Sequence, residues 1–229
     1  MAMRLIKFTM VYDNFQQEAI NHINNGHSVI VSAPTGAGKT AIAEHVISTA
    51  LEKDIGVIYT APIKALSNQK FRDFQGKFKD KIGILTGDVS LNPFAPVLIM
   101  TTEILRNKIL DEPASLDKYS WVIFDEIHYI DNPERGTVWE ESLIFLPKQM
   151  NILGLSATIP NIKQFSSWIE SIHNKPVKTV IEGKRPVPLH FYFQSGNEVV
   201  DKIDQLKKMR LSKPNKLFGL INYIREREG

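Results

Sequence analysis

Two glycines and a lysine-threonine pair stand close together in the segment SAPTGAGKTAIAEH, which begins at Ser32. Gly36 and Gly38 allow the backbone to bend so that its N–H groups face an anion. The Lys39 ammonium could then reach the β- and γ-phosphates of ATP, and the Thr40 hydroxyl could ligate Mg²⁺. The sequence therefore predicts an ATP-binding loop formed by Ala33, Pro34, Thr35, Gly36, Ala37, Gly38, Lys39 and Thr40.

Ala33 departs from the general phosphate-loop pattern, G-x-x-x-x-G-K-[ST], which has a glycine at that position. A glycine-rich turn with an incidental lysine is the alternative interpretation. The context favours the loop, because the residues before it are apolar and β-branched and those after it show helical periodicity. A strand that leads through a glycine-rich turn into a helix is the setting in which such loops bind phosphate.

Two adjacent carboxylates, Asp125 and Glu126, follow the apolar run WVIF. Asp125 could hold Mg²⁺ through water, and Glu126 could orient or deprotonate the attacking water. Such a pair is usually a solvated turn, but the phosphate loop upstream favours the catalytic interpretation. We predict Lys39, Asp125 and Glu126 as catalytic residues, with Thr40 and Asp125 as Mg²⁺ ligands. Zinc binding by Glu126 and His128 is not favoured, because the sequence has no H-E-x-x-H string.

Short apolar runs rich in valine and isoleucine alternate with helical patterns from Ser28 to about Gly183. Strands that are apolar on both faces and separated by helices indicate a parallel sheet covered on both sides. We therefore predict an α/β fold with a doubly wound parallel sheet. The strands are predicted at 28–33, 56–61, 81–86, 96–101, 121–126, 151–157 and 177–182, and the helices at 39–53, 66–78, 102–111, 135–146 and 162–172.

Composition limits the class of protein more than its function. The chain has 229 residues, 43% hydrophobic and 23% charged, which is typical of a soluble globular protein. The absence of cysteine excludes disulfides, and the net charge of +3 permits but does not require a polyanionic partner. The apolar runs fall short of the roughly 20 residues that cross a bilayer, and MAMRLIKFTM lacks the apolar centre of a signal peptide. We expect a cytoplasmic protein with no membrane partner.

Several segments, taken in order, resemble the motifs of the superfamily 2 helicases. APTGAGKT resembles the phosphate loop of that family, A-x-T-G-x-G-K-T, in which alanine is the expected residue at position 33. DNFQQEAI resembles the Q motif, DEIH resembles motif II of the DExH type, and SAT at 156–158 resembles motif III. The finer resemblance is to the superkiller-type, exosome-associated RNA helicases, through YTAPIKALSNQKFRDF, VIFDEIHYIDNPERGTVWEE and LSATIPN.

The resemblance implies a RecA-like P-loop fold and a role for each matching residue. Gln16 would read the adenine edge, and Phe15 would pack nearby. The segments TAPIKALSNQK, TGD at 86–88 and TTEILRN resemble the motifs that contact nucleic acid, where N–H groups at helix starts suit phosphates. The implied nucleic-acid contacts are Pro62, Lys64, Ala65, Gly87, Thr101 and Thr102.

Motifs II and III are implied to transmit the state of the nucleotide. A hydrogen bond from His128 toward Ser156 or Thr158 could change with occupancy of the γ-phosphate position. Taken alone, His128 would be a surface histidine and each threonine an ordinary helix cap. The implied coupling residues are His128, Ser156, Ala157 and Thr158.

Three regions are expected along the chain. Residues 1–183 are predicted to form a RecA-like ATP-binding domain, residues 184–212 an exit strand and an amphipathic connecting helix, and residues 213–229 the truncated start of a second RecA-like domain. The family's arginine-rich motif, Q-x-x-G-R-x-x-R, does not occur in the sequence. We therefore expect this chain to bind ATP and Mg²⁺ but to hydrolyse ATP poorly without a second RecA-like domain.

Three functions remain open at this point. The resemblance implies an ATP-dependent RNA helicase that acts on single-stranded or tailed RNA and works with an RNA-degrading complex. A DNA helicase of the archaeal fork-repair type shares DEIH, LSAT and RPVPL. A non-unwinding, ATP-gated RNA clamp or scaffold would use the same fold to grip RNA without moving along it.

Overall fold

The computed structural model describes residues 11–187, 192–195 and 198–201. By its internal contacts the chain divides into two compact units, Met1–Arg185 and Pro186–Gly229. The first unit contains the segments that carry the predicted site. Within the described ranges, no helix has both the length and the apolar character needed to cross a membrane.

An eight-stranded sheet forms the centre of the first unit, in the order β4-β3-β5-β2-β6-β7-β1-β8. All neighbouring strands pair in parallel except β4, which is antiparallel to β3. The strands are β1 (Ser28–Ser32), β2 (Gly56–Ala61), β3 (Ile82–Leu85), β4 (Ser90–Leu91), β5 (Val97–Thr101), β6 (Tyr119–Asp125), β7 (Asn151–Ser156) and β8 (Val177–Ile181).

Helices cover both faces of this sheet, as predicted. On one face α1, α2 and α3 pack over a buried cluster that includes Val29 and Val31, and on the other α4, α5 and α6 pack over a cluster that includes Ile30. Because successive residues of a strand point to opposite faces, both faces of each central strand are apolar. The helices are α1 (Asn14–Asn24), α2 (Thr40–Glu52), α3 (Lys64–Phe78), α4 (Thr102–Asp111), α5 (Gly136–Phe145) and α6 (Ile162–His173).

The predicted α/β fold with a doubly wound parallel sheet is therefore confirmed, and all seven predicted strands of this unit and all five predicted helices are present. One α-helix and one strand of this unit were not predicted. Helix α1 begins with a capping box, in which the side chain of Asp13 accepts from the backbone N–H of Gln16 and the side chain of Gln16 accepts from that of Asp13. Strand β4 has only two residues, both exposed, so it carries no apolar pattern.

The second unit is described only as a two-stranded antiparallel hairpin, β9 (Phe193–Ser195) and β10 (Glu198–Val200). The amphipathic connecting helix expected within 184–212 does not include Glu198–Val200, because these residues pair as a strand. The β-branched pair Val199 and Val200 favours this extended conformation. The remainder of the predicted helix and the predicted second-domain start at 213–229 lie outside the described residues.

The parallel register brings the ends of five strands to the same edge of the sheet. Ser32 pairs with Ser156, and Asp125 lies beside Leu155. Ala61 pairs with Thr101 at the end of β2 and β5. Loops that leave the carboxyl ends of parallel strands form the usual ligand-binding edge of an open α/β sheet. The predicted site residues therefore converge here although they lie far apart in the sequence.

Candidate nucleotide site and adjoining groove

The phosphate loop connects β1 to α2, as the sequence predicted. Gly36 and Gly38 have φ values of +85° and +86°, which residues with a Cβ rarely adopt. Ala33 is fully buried, and its N–H donates to the Ser156 carbonyl oxygen over 3.1 Å. Ala33 thus continues the packing and bonding of β1, and its methyl group fills a core position where the general pattern has glycine.

Lys39 folds back over this loop. Its Nζ donates to the carbonyl oxygens of Ala33 over 2.7 Å and of Pro34 over 3.2 Å. Burial lowers the pKa of Lys39, while the negative charges of Glu126 and Asp125 oppose that shift. The ammonium is therefore held within the loop, close to the two carboxylates, where it can meet a phosphate.

Gln16 holds α1 to the phosphate loop. Its side-chain Nε2 donates to the Gly38 carbonyl oxygen over 3.0 Å, and its Oε1 accepts from the Asp13 N–H over 2.9 Å. Gln16 is only 6% exposed, and Phe15 is buried in the same core cluster as Ala37. The Gln16 carboxamide retains one free N–H and one free lone pair. These are the groups with which Gln16 could bond to the edge of adenine.

Asp125 lies at the end of β6, where it has two hydrogen-bond donors and one ammonium group beside it. Its Oδ2 accepts a hydrogen bond from the Tyr59 hydroxyl over 2.5 Å and lies 3.6 Å from the Lys70 ammonium. Its Oδ1 accepts from the Glu126 N–H over 3.1 Å. Burial, followed by the negative charge of Asp125, raises the pKa of Tyr59 well above its ordinary value, so the phenol stays protonated and continues to donate.

The oxygens of Thr40 and Asp125 converge on one point. Lys70 Nζ donates to Thr40 Oγ1 over 3.0 Å and also lies beside Asp125. A carboxylate and a hydroxyl are ligands of the kind that Mg²⁺ prefers. Because the two oxygens already share a single cationic group, the residues present fit the predicted Mg²⁺ site.

Glu126 has a left-handed backbone, with φ of +56°. This conformation is rare for a residue with a Cβ and costs about 1–2 kcal/mol. The Glu126 carboxylate lies 3.3 Å from His128 Nδ1, and that nitrogen lies 3.5 Å from Ser156 Oγ. Of the two partners predicted for His128, the structure thus brings Ser156 into contact, whereas Thr158 is exposed.

The SAT segment contacts the phosphate loop through the backbone. The Ser156 carbonyl accepts from the Ala33 N–H, and the Ala157 carbonyl accepts from Ser32 Oγ over 3.3 Å. Ser32 Oγ also accepts from the Ile159 N–H over 3.1 Å. Motif III is therefore bonded on one side to the phosphate loop and on the other to His128.

A groove of about 460 Å³ lies along the same edge, next to the nucleotide site. It is lined by five of the six predicted nucleic-acid contacts, which are Pro62, Lys64, Ala65, Gly87 and Thr101. The sixth, Thr102, does not line it and is only 1% exposed. A contact by Thr102 would therefore have to come through its backbone N–H at the start of α4.

Three charged side chains line the groove, the basic Lys64 and Arg135 and the acidic Glu103. Lys64 pairs with Asp88 over 2.7 Å in an exposed ion pair. Arg135 donates from Nη1 to the Pro62 carbonyl oxygen over 3.0 Å, so one corner of its guanidinium is fixed at the groove wall. The other N–H groups of that guanidinium are suited to bind phosphate oxygens.

Sequence reasoning missed Tyr59, Lys70 and Arg135. Tyr59 stands within the apolar run GVIYTA, and Lys70 is one of several lysines on α3. A polar residue within a buried strand that neighbours the carboxylate strand is the signal that could have indicated Tyr59. Nothing in the local pattern distinguishes Lys70 from Lys64 or Lys77, because only the packing of α3 shows which of them faces the phosphate loop.

These features define a nucleotide-binding α/β domain of the RecA-like, P-loop class. The family model described as "DEAD/DEAH box helicase" matches residues 13–165. The chain belongs to this family.

Relatives with assigned names share about half of the residues. DExH-box ATP-dependent RNA helicase DExH9 of Arabidopsis thaliana is 48% identical over 190 residues, which is 82% of this chain and 19% of that protein. Exosome RNA helicase MTR4 of Homo sapiens is 48% identical over 193 residues, covering 84% and 18% of the two chains. Superkiller complex protein 2 of Homo sapiens is 50% identical over 185 residues, covering 81% and 15%. The chain thus spans about a fifth or less of these relatives.

Among solved structures, the DUF1998 helicase MrfA bound to DNA has a similar fold. Its TM-score is 0.62 at 19% identity, over 75% of this chain and 27% of that one. At that identity the similarity confirms the RecA-like fold alone.

Proposed function

We propose that this chain is the ATP-binding motor domain of an ATP-dependent RNA helicase, which couples ATP hydrolysis to translocation along single-stranded RNA or to unwinding of a duplex. The observation that carries the proposal is the position of the phosphate loop, the two carboxylates and the groove along one sheet edge. The names of the relatives DExH9 and MTR4, both called RNA helicases, support RNA as the polymer.

The nucleotide site suits phosphoryl transfer. Lys39 would bind the β- and γ-phosphates, and Thr40 and Asp125 would hold Mg²⁺, which neutralises phosphate charge when bound. Glu126 would accept a proton from the attacking water, and the nearby His128 nitrogen would help to position its carboxylate. Gln16 would contact the adenine edge while it holds the loop at Gly38.

The groove suits the backbone of a single strand. Lys64 and Arg135 supply positive charge, and the N–H groups at the starts of α3 and α4 supply neutral donors. Phosphate contacts of this kind carry little sequence information and weaken with salt. We therefore infer sequence-tolerant binding of single-stranded or tailed RNA in this groove.

Coupling would pass through His128 and motif III. His128 lies between Glu126 and Ser156, and Ser156 is bonded to Ala33 at the phosphate loop. Loss of the γ-phosphate that moves Glu126 would thus also move His128, and through it Ser156, Ala157 and Thr158. The 3.5 Å contact between His128 and Ser156 is the loosest in this series, so we infer that it is the one that changes.

The arrangement of domains remains a proposal. Residues 1–183 would be the RecA-like ATP-binding domain, residues 184–212 the connecting segment and residues 213–229 the start of a second RecA-like domain. That second domain would supply the arginines that complete phosphoryl transfer, so this chain alone would be a poor ATPase. We also propose a cytoplasmic protein that works with an RNA-degrading complex, since relatives are named for the exosome and the superkiller complex.

Replacement of Lys39 by alanine tests the nucleotide site. Lys39→Ala should abolish binding of a fluorescent ADP analogue in the presence of Mg²⁺, because the charge beside the phosphates is lost. Lys53→Ala removes an exposed lysine at the far end of α2 and should leave binding unchanged. Equal affinities of Lys39→Ala and the unaltered protein would refute the assignment of the phosphate loop.

Competition between matched single strands tests the polymer. We expect RNA to displace a bound fluorescent RNA more effectively than DNA of the same sequence, through contact with the 2′-OH. A preference for DNA would favour the fork-repair type of helicase. A clamp would be favoured if a longer protein that includes the second RecA-like domain hydrolyses ATP on tailed RNA but separates no strands.

A further inference from the structure

Lys70 lies on α3 and faces the phosphate loop. Its Nζ is 3.0 Å from Thr40 Oγ1, 3.6 Å from Asp125 Oδ2 and 5.8 Å from the centre of the Tyr59 ring. The Lys70 side chain is 17% exposed and that of Asp125 is 12% exposed. The Lys70 ammonium thus lies between a hydroxyl, a carboxylate and an aromatic face.

The two oxygens that Lys70 contacts are those assigned to Mg²⁺. An ion bonded to Thr40 Oγ1 at the usual distance of about 2.0–2.1 Å would meet an ammonium group bonded to the same oxygen. Two positive charges at such short range repel each other strongly when they are partly shielded from water. The ammonium and the metal ion therefore cannot both keep their contacts with Thr40.

Neighbouring groups set the charge around this position. Lys39 adds a second ammonium from the phosphate loop, and Asp125 and Glu126 are the carboxylates that face it. With Lys70, the protein supplies two cationic groups beside two anionic ones before any ligand binds. The charge of Lys70 thus takes the place that a metal ion would otherwise take in neutralising Asp125.

We propose that the Lys70 ammonium and Mg²⁺ compete for the Thr40 and Asp125 oxygens, so that Lys70 sets how much Mg²⁺ the protein needs to bind nucleotide. This inference rests on the proposed nucleotide site. Lys70 acts here as a positioning residue, because it holds together two side chains from different elements, the start of α2 and the end of β6.

The test is a titration of MgCl₂ at a fixed concentration of a fluorescent ADP analogue. In Lys70→Met the half-saturating Mg²⁺ concentration should fall roughly fivefold or more, because a unit positive charge that contacts the same two oxygens is removed. In EDTA the ammonium is the cation that remains, so the same variant should bind ADP more weakly than the unaltered protein. These two shifts have opposite signs, which a merely structural role would not produce.

Two variants control for charge and position. Lys70→Arg keeps the positive charge and should retain a Mg²⁺ requirement close to that of the unaltered protein. Lys77→Met removes a lysine from the same helix, where it pairs with Glu44, and should leave the titration unchanged. Lys70→Gln, which can still donate to Thr40 without a charge, gives the same test if Lys70→Met does not fold.

The inference is overturned if Lys70→Met needs as much Mg²⁺ as the unaltered protein, or if its affinity for ADP falls equally with and without Mg²⁺. In the second case Lys70 would be an ordinary phosphate contact. A failure of the proposed function is distinguishable, because the unaltered protein would then bind no ADP even at saturating Mg²⁺.

Discussion

Asp125 shows how the surroundings of one residue prepare it for its chemistry. The Tyr59 hydroxyl, the Lys70 ammonium and the Glu126 N–H all point to its two oxygens. Two hydrogen bonds and one ion pair hold the carboxylate in one orientation. The carboxylate is therefore arranged in advance for a cation, and the side chains responsible come from β2 and α3 as well as β6.

Removal of the Tyr59 hydroxyl should destabilise the protein. Tyr59→Phe keeps the ring, which packs edge-on against Phe74, but leaves a buried carboxylate with one donor fewer. Hydrogen bonds to charged groups contribute about 1.5–3 kcal/mol, so we expect a loss of that order in the free energy of unfolding. Denaturation by urea, followed by circular dichroism, measures it.

Tyr119→Phe is the matched control for this change. The Tyr119 hydroxyl is also buried, but it donates over 3.1 Å to the Ala95 carbonyl oxygen, which is neutral. Its removal should cost about 1 kcal/mol. If Tyr59→Phe costs no more than Tyr119→Phe, then the bond to Asp125 has no special strength.

The sequence sufficed to propose candidate site residues, but it could not indicate which other side chains contact them. Lys39, Thr40 and Asp125 stand in short strings whose spacing reflects the chemistry directly. Tyr59 and Lys70 are separated from Asp125 by 66 and 55 positions along the chain. Such contacts depend on strand order and helix packing, on which local patterns carry no information.

The phosphate loop and α1 act as one element, because Gln16 joins them at Gly38. A Cβ at Gly38 would lie 2.7 Å from Gln16 Nε2, and Gly38 also has a positive φ. Helix α1 thus depends on a glycine in the loop, just as the loop depends on a side chain of α1. The sequence contained both residues, but their hydrogen bond became visible only in the folded chain.

Gly38→Ala should separate the loop from α1. The new methyl group would push the Gln16 carboxamide off the Gly38 carbonyl, and the backbone would lose its preferred conformation at a cost of about 1–2 kcal/mol. We expect the affinity for the fluorescent ADP analogue to fall at least about tenfold, because both the loop and its support are disturbed. Fluorescence titration measures the change.

Gly26→Ala is the control for backbone strain. It introduces a Cβ at a positive φ, as Gly38→Ala does, but at a position without a contact to Gln16. Gly26 has φ of +77° but no neighbour within 4 Å of the added Cβ, and it lies at the end of α1 away from the loop. This variant should lose similar stability and keep its affinity for nucleotide. Equal affinities for Gly26→Ala and Gly38→Ala would show that the Gln16 contact does not support the loop.

At the scale of the whole molecule, the alternation of apolar runs and helical patterns sufficed to predict the class of fold. Each central strand had to be apolar on both faces because three helices pack on each side. Strand order could not be predicted in the same way, since the same alternation is compatible with several arrangements of parallel strands. The order decides that β7, with Ser156, lies between the phosphate-loop strand and the carboxylate strand.

The place of β1 in this order has a consequence for the synthesis of the protein. Among the residues that the structure describes, β1 pairs with β7 and β8, whose first residues are Asn151 and Val177. At translation rates of about 5–20 residues per second, the roughly 120 residues between Ser28 and Asn151 take roughly 6–25 seconds to emerge. For that time the segment Ser28–Ser32, with the apolar run VIV at its centre, has neither of these strands beside it. A chaperone that recognises short hydrophobic segments on the ribosome would find it exposed, and the nucleotide site forms only near the end of this unit's synthesis.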